Sequence, residues 1–181
     1  MSLNQQDITS LIKLCQDNNH LAQLEIYNRY QNAMFNVSLR IVKDRALAED
    51  VMQESFITAF SKLNSFKGTA TFGAWLKRIV INNSLTAYKK AQRYTPLEKQ
   101  AEVGIEDNDG VTDTMHHNEQ MQQVLVAMKT LKDRYQQVLT LHYIEGFDTD
   151  EISEIFNITN ATCRTLLSRA KESLRKKIQL Q

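Results

Sequence analysis

The chain has 181 residues, 42% hydrophobic and 24% charged, with a net charge of +1, one Pro, five Gly and two Cys. That length suits one domain or two small ones, each able to bury a core, and so little Pro and Gly favours helices over turn-rich β folds. No apolar run approaches the ~18 residues of a membrane span. The first residues lack a charged-then-apolar leader, so direct membrane insertion is not expected and a cytoplasmic protein is. Cys15 and Cys163 lie far apart without ligand spacing, which argues against a disulfide framework or a metal site.

Taken in order, apolar residues recur every three or four positions, and no stretch alternates with period two. Asp7 is placed to cap a first helix built on Ile8, Leu11, Ile12 and Cys15. A second runs from about Asn19 to Val42, with Leu24, Tyr27, Tyr30, Met34, Val37 and Ile41 inward. Asp44 caps a third reaching Leu63, whose stripe is Leu47, Val51, Phe56, Ala59, Phe60 and Leu63.

After the loop NSFKGTA (64–70), the stretch TFGAWLKRIVINN (71–83) opens a fourth helix that continues to about Gln92. Phe72, Trp75, Leu76, Ile79 and Val80 make its apolar face, and Lys77, Arg78 and Asn82 lie off it. Two readings stand: a core helix with solvated charges behind it, or a surface that holds an anionic polymer.

From Pro96 to about Asn118 the pattern dissolves into EVGIEDNDGVTDTMHHNE, read as a flexible linker between two domains. The His116–His117 pair has no further ligand at metal spacing, so solvated histidines are expected. Helices resume at Glu119–Leu131, Asp133–Ile144, Asp148–Phe156 and Asn160–Ile178.

Charge is distributed unevenly. Residues 1–96 carry twelve Lys/Arg against seven Asp/Glu, residues 97–119 one against seven, and residues 120–181 nine against seven. No acid occurs between Glu54 and Glu98, whereas Lys62, Lys67, Lys77, Arg78, Lys89, Lys90 and Arg93 all do. An anionic partner is the simplest physical reason for such clustering.

The most specific local feature is DTDEISEIFNITNATCRTLLSRAKESLRKK (148–177). Asp148 or Thr149 caps a short helix with Ile152, Ile155 and Phe156 inward. A turn, Asn157-Ile158-Thr159, leads into a longer helix with Ala161, Cys163, Leu166, Leu167 and Ala170 available for packing. This is the arrangement of a helix-turn-helix, whose second helix enters the DNA major groove. Thr162, Arg164, Thr165, Ser168, Arg169 and Lys171 occupy its outer positions, residue types that hydrogen-bond base edges and phosphates. A plain helical hairpin is the competing reading.

AEDVMQESFITAF (48–60), NSFKG (64–68), FGAWLKRIVINNSL (72–85) and LKDRYQQVLTLHYIEGFDTDEISEIFNIT (131–159) follow the order found in extracytoplasmic-function (ECF) sigma factors of the sigma-70 family, which the chain resembles over about 20–95 and 120–178. The resemblance implies an all-α protein of two small helical domains joined by a flexible acidic linker, the C-terminal one a helix-turn-helix. Residues 1–95 would bind core polymerase and recognise and melt the −10 element, 96–119 form the linker, and 120–181 read the −35 element. Such a protein is a non-enzymatic transcription-initiation subunit without cofactor or metal.

Its implied partners are core RNA polymerase and promoter DNA, with an anti-sigma factor as a further candidate. Glu49, Asp50, Gln53 and Glu54 would face the β′ clamp, and the helices around Leu131–Tyr143 the β flap, although Val138, Leu139 and Leu141 also suit a core. Asn64, Phe66 and Lys67 would take an unstacked −10 base. Lys77, Arg78, Asn82, Lys89 and Lys90 would hold the strand, and Trp75 either packs or supports a base.

Thr86, Ala161, Leu166 and Thr69-Ala70 depart from the common family pattern, which bears on promoter sequence rather than class. A polymerase-independent helix-turn-helix regulator accounts only for residues 131–178. An enzyme using His20 or His142 lacks a catalytic partner at recognisable spacing.

Overall fold

The computed structural model describes residues 3–94 and 119–179, and all regular structure among them is helical. The chain divides into two compact units, Met1–Ile105 and Glu106–Gln181. Of the acidic segment expected as a linker over 96–119, residues 96–118, with both histidines, lie outside the described residues, and Glu119 begins a helix.

The N-terminal unit holds helices α1 (Ile8–Gln16), α2 (His20–Val42), α3 (Arg45–Ser61) and α4 (Phe72–Tyr94). Side-chain oxygens satisfy the orphan N–H groups at each start. Asp7 accepts from Ser10 N at 3.3 Å, Asn19 from Ala22 N at 3.1 Å, Asp44 from Leu47 N at 2.7 Å and Thr71 from Ala74 N at 3.2 Å. Lys43 ends α2 in the left-handed conformation, φ 60°. A single-turn 3-10 helix, Leu63–Ser65, follows α3.

The three long helices α2, α3 and α4 pack against one another, and α1 lies on α2. Ile26, Val37, Val51, Phe56, Leu76, Val80 and Ile81 fill the space between them. Small polar residues fix the crossings. Ser38 of α2 and Ser84 of α4 are fully buried with oxygens 3.0 Å apart, and Asn83 of α4 donates to Ser55 of α3 at 3.0 Å. Each such pair contributes about 1 kcal/mol net, and far more is lost if one partner is left alone in the core. Arg29 of α2 donates to the carbonyls of Gln6 and Leu3 at 2.9 and 3.1 Å while pairing with Glu25, which holds the N-terminal segment on α2.

The C-terminal unit holds α5 (Glu119–Lys129), α6 (Asp133–Leu139), α7 (Thr149–Phe156) and α8 (Asn160–Gln179), and α8 packs against the other three. Its core is Val138, Leu139, Leu141, Ile152, Cys163, Leu167 and Ala170. The expected helix to Ile144 instead leaves the α geometry after Leu139 and closes with a π-helical turn, Thr140–Ile144. His142 Nδ1 lies 2.9 Å from the Phe147 carbonyl, and Gly146 takes φ 82° to make the bend between them.

Two inward assignments fail. Leu24 is 54% exposed, because α2 buries the rows of Ala22, Ile26, Met34, Val37 and Ile41 and Leu24 lies off them. Ala161 is exposed in the first turn of α8, ahead of the buried row Cys163–Leu167–Ala170.

Candidate nucleic-acid and protein interfaces

On α4 the helical period sorts the expected residues into rows. Trp75, Arg78, Asn82 and Lys89 recur at spacings of three, four and seven, so they share one side with Thr86 and Arg93. Asn82, Thr86, Lys89 and Arg93 are exposed, whereas Trp75 and Arg78 are half-buried. Lys90 is exposed one position further round. Lys77 is not brought into this row: it stands in line with Gly73, Ile81 and Ser84 on the core side and is half-buried.

The loop before α4 ends in an aromatic cluster. Phe66 meets Phe72 edge-on at 5.8 Å and Trp75 at 5.3 Å, and Phe72 in turn meets Trp75 at 5.7 Å and Tyr30 at 5.5 Å. Gly73 permits this closeness, since a Cβ there would stand 3.0 Å from the Tyr30 ring. Phe72 is buried, while Phe66 and Trp75 each keep part of the ring accessible. Asn64 and Lys67 are exposed on either side of Phe66. The arrangement offers a half-open aromatic floor with an amide and an ammonium beside it, continuous with the polar row of α4.

The helix-turn-helix is built by reciprocal capping. Asp148 accepts from Glu151 N at 2.8 Å and Glu151 accepts from Asp148 N at 2.9 Å, closing a capping box at the start of α7. Asn157 ends α7 in the left-handed conformation, φ 51°. Thr159 then caps α8 by accepting from Thr162 N at 3.2 Å, and Asn160 ties the turn back to Asp150 and Thr149. The Arg134 guanidinium stacks 3.7 Å from the Phe156 ring centre, joining α6 to α7.

With α8 so fixed, Thr162, Arg164, Thr165, Ser168 and Arg169 are all exposed. Lys171 is half-buried, with its Nζ 5.4 Å from the Tyr143 ring centre.

Glu49, Asp50, Gln53 and Glu54 are exposed together on α3. One turn on stands Ile57, 71% exposed, facing an apolar groove between α2 and α3 lined by Leu24, Tyr27, Phe56 and Phe60. Leu21 adds a further exposed apolar side chain on α2. Sequence reasoning missed this patch: it placed Leu24 in the core and gave Ile57 no role. The available signal was that Ile57 is out of phase with the buried stripe of α3. In the C-terminal unit Tyr143 and Ile144 are exposed at the end of the π-helical turn, while Val138, Leu139 and Leu141 are core.

Among the described residues no three His, Cys, Asp or Glu side chains gather as a metal site, and no helix is long and apolar enough to cross a membrane.

Residues 26–94 match the family description Sigma-70 region 2, and residues 121–174 match Sigma-70, region 4. The chain is 31% identical over 180 residues to the ECF RNA polymerase sigma-E factor of Haemophilus influenzae, covering 94% of each chain. It is 29% identical over 187 residues to the ECF RNA polymerase sigma factor SigW of Bacillus subtilis, covering 95% of this chain and 97% of the relative. Its fold is similar to a sigma factor RpoE solved with the anti-sigma factor NepR from Bartonella quintana, with a TM-score of 0.61, 18% identity and coverage of 86% and 95%. CnrH, solved with the cytosolic domain of CnrY, is similar at a TM-score of 0.57, 19% identity and coverage of 94% and 96%.

Proposed function

The chain belongs to the extracytoplasmic-function sigma factors of the sigma-70 family, and on that premise we propose how its two units divide the work of an alternative sigma factor. Such a subunit binds core RNA polymerase and directs it to promoters. The observation that carries the division is that each region lies within a separate compact unit, and each unit carries an exposed basic helix face.

The α4 row is the seat of the opened −10 strand. Arg78, Lys89 and Lys90 neutralise phosphates, and Asn82 hydrogen-bonds the strand. Trp75 and Phe66 give the aromatic surface on which an unstacked base rests, with Asn64 reading its edge and Lys67 its phosphate. Lys77 acts more weakly, through a stem packed on the core side. On α8, Arg164 and Arg169 read or position the −35 element, Thr162, Thr165 and Ser168 add shorter contacts, and Lys171 serves as a backbone cation.

Core polymerase docks on α3. A basic helix of the β′ clamp suits the edge of Glu49, Asp50, Gln53 and Glu54, and its apolar side suits the groove rimmed by Leu24 and Ile57. Tyr143 and Ile144 are the exposed apolar residues available to the β flap. The anti-sigma factor NepR bound to the structurally similar RpoE makes such a factor a candidate partner here. The test is in vitro transcription from genomic fragments with core polymerase, with and without this chain. New start sites that depend on the chain are expected. DNA binding by the chain alone, with no effect on polymerase, would instead favour an ordinary helix-turn-helix regulator.

A further inference from the structure

Beside the first turns of α8 is a shallow notch walled by Ala161, Thr162, Thr165, Leu166 and Arg169 on one side and by Tyr135 of α6 on the other. Tyr135 lies within the stretch expected to face the β flap but has no individual role in the assignments above. Most of the lining is carbon: the half-buried Tyr135 ring, the half-buried Leu166 and the exposed Ala161 methyl. The two threonine hydroxyls already have partners within the motif. Thr162 Oγ1 lies 2.8 Å from Thr159 Oγ1, and Thr165 Oγ1 donates to the Ala161 carbonyl at 2.9 Å. Each hydroxyl keeps only its remaining acceptor capacity for a base edge, the threonine methyl groups add to the apolar lining, and Arg169 supplies the positive charge at the rim.

A helix that enters the major groove meets polar nitrogens and oxygens on every base pair, with one apolar projection, the C5-methyl group of thymine. An apolar notch on the entering turns is complementary to that group and to no other base feature. A phosphate there would find donors only in the Arg169 guanidinium and the Tyr135 hydroxyl, the rest of the lining being carbon or hydroxyls already bonded within the motif. We infer that the notch of Tyr135, Ala161, Thr165 and Leu166 receives the C5-methyl of a thymine in the upstream promoter element, with the Arg169 guanidinium on the adjoining phosphate or base edge. Tyr135 is thereby a specificity-determining residue. The inference rests on α8 being the recognition helix.

The experiment uses holoenzyme assembled from the full chain and core polymerase, on a promoter that it transcribes. Each thymine of the upstream element, on both strands, is replaced in turn by deoxyuridine, which keeps every hydrogen-bonding group and removes only the methyl. One position should weaken binding by about fourfold, the worth of one buried methyl. Tyr135→Phe should keep that sensitivity. Tyr135→Ala and Leu166→Ala should each abolish it, binding the thymine and uracil promoters alike; the half-buried Leu166 gives a variant less exposed to misfolding. A flat uracil scan, or sensitivity that persists in both Ala variants, overturns the notch as a methyl reader. A flat scan with weaker binding by Tyr135→Phe on every sequence assigns its hydroxyl to the phosphate backbone instead. Holoenzyme that ignores the upstream element altogether would refute the recognition-helix reading itself, a distinguishable failure.

Discussion

Arg164 and Arg169 project from a helix whose other side is anchored by the fully buried Cys163 and Ala170. Replacing a base-reading arginine by Ala should cost about 1–3 kcal/mol and relax preference at one base pair, whereas replacing a phosphate contact weakens all sequences alike. A promoter-variant binding series on Arg164→Ala and Arg169→Ala separates the two roles. A second residue-scale expectation concerns Cys15, buried against α1's neighbours, where burial pushes the thiol up to about 11. The folded state then holds its proton more tightly than the unfolded chain does. The corresponding stability is fully present below about pH 9 and is lost as pH rises towards 11. Urea midpoints should fall across that window in wild type and fall less steeply in Cys15→Ala. An identical slope in both would remove Cys15 as the cause.

At the scale of elements, α3 shows what helical periodicity reveals and what it conceals. The apolar repeat marked α3 and its buried Val51, Phe56 and Ala59, and Asp44 marked its start. The same rule looks only for inward residues, so it misplaced Leu24 and passed over Ile57, which form an exposed apolar patch of the kind that marks an interaction surface. Ile57→Lys should therefore weaken core polymerase binding at least tenfold while leaving thermal stability unchanged, as measured by competition for core enzyme and by melting. A loss of stability without a loss of binding would place Ile57 in the fold instead.

The polar row on α4 was legible as a cluster of charges, yet Lys77 lies outside that row, because neighbours in sequence point in different directions on a helix. The π-helical turn at Thr140–Ile144 was not legible, since one extra residue per turn shifts the exposed positions without changing composition. In the loop before α4, Phe66 packs on Phe72 and Trp75, so Phe66→Ala perturbs packing as well as any base contact. Asn64→Ala is the cleaner variant. It should slow opening of a duplex promoter more than it affects a template already mismatched at −10, because unpairing costs a few kcal/mol. Equal effects on both templates would exclude Asn64 from base capture.

For the whole molecule, the order of elements was readable because caps, apolar periods and the two family segments agree along the chain. The N-terminal segment to residue 96 and the segment from residue 120 each carry more Lys/Arg than Asp/Glu, with an acidic stretch between them. Each proposed DNA face is small, one helix with a flanking loop or a single neighbouring side chain, so neither unit alone is expected to make the phosphate contacts of a strong duplex binder. The exposed acidic and apolar surface of α3, proposed above as the seat of polymerase, is unsuited to polyanionic DNA. DNA recognition should therefore depend on polymerase. The most direct measurement is a promoter-binding titration of the free protein and of its complex with core RNA polymerase, at the same salt concentration. Weak, sequence-insensitive binding by the free chain and tight, promoter-specific binding by the complex are expected. Tight and specific binding by the free chain, unchanged by polymerase, would contradict that dependence.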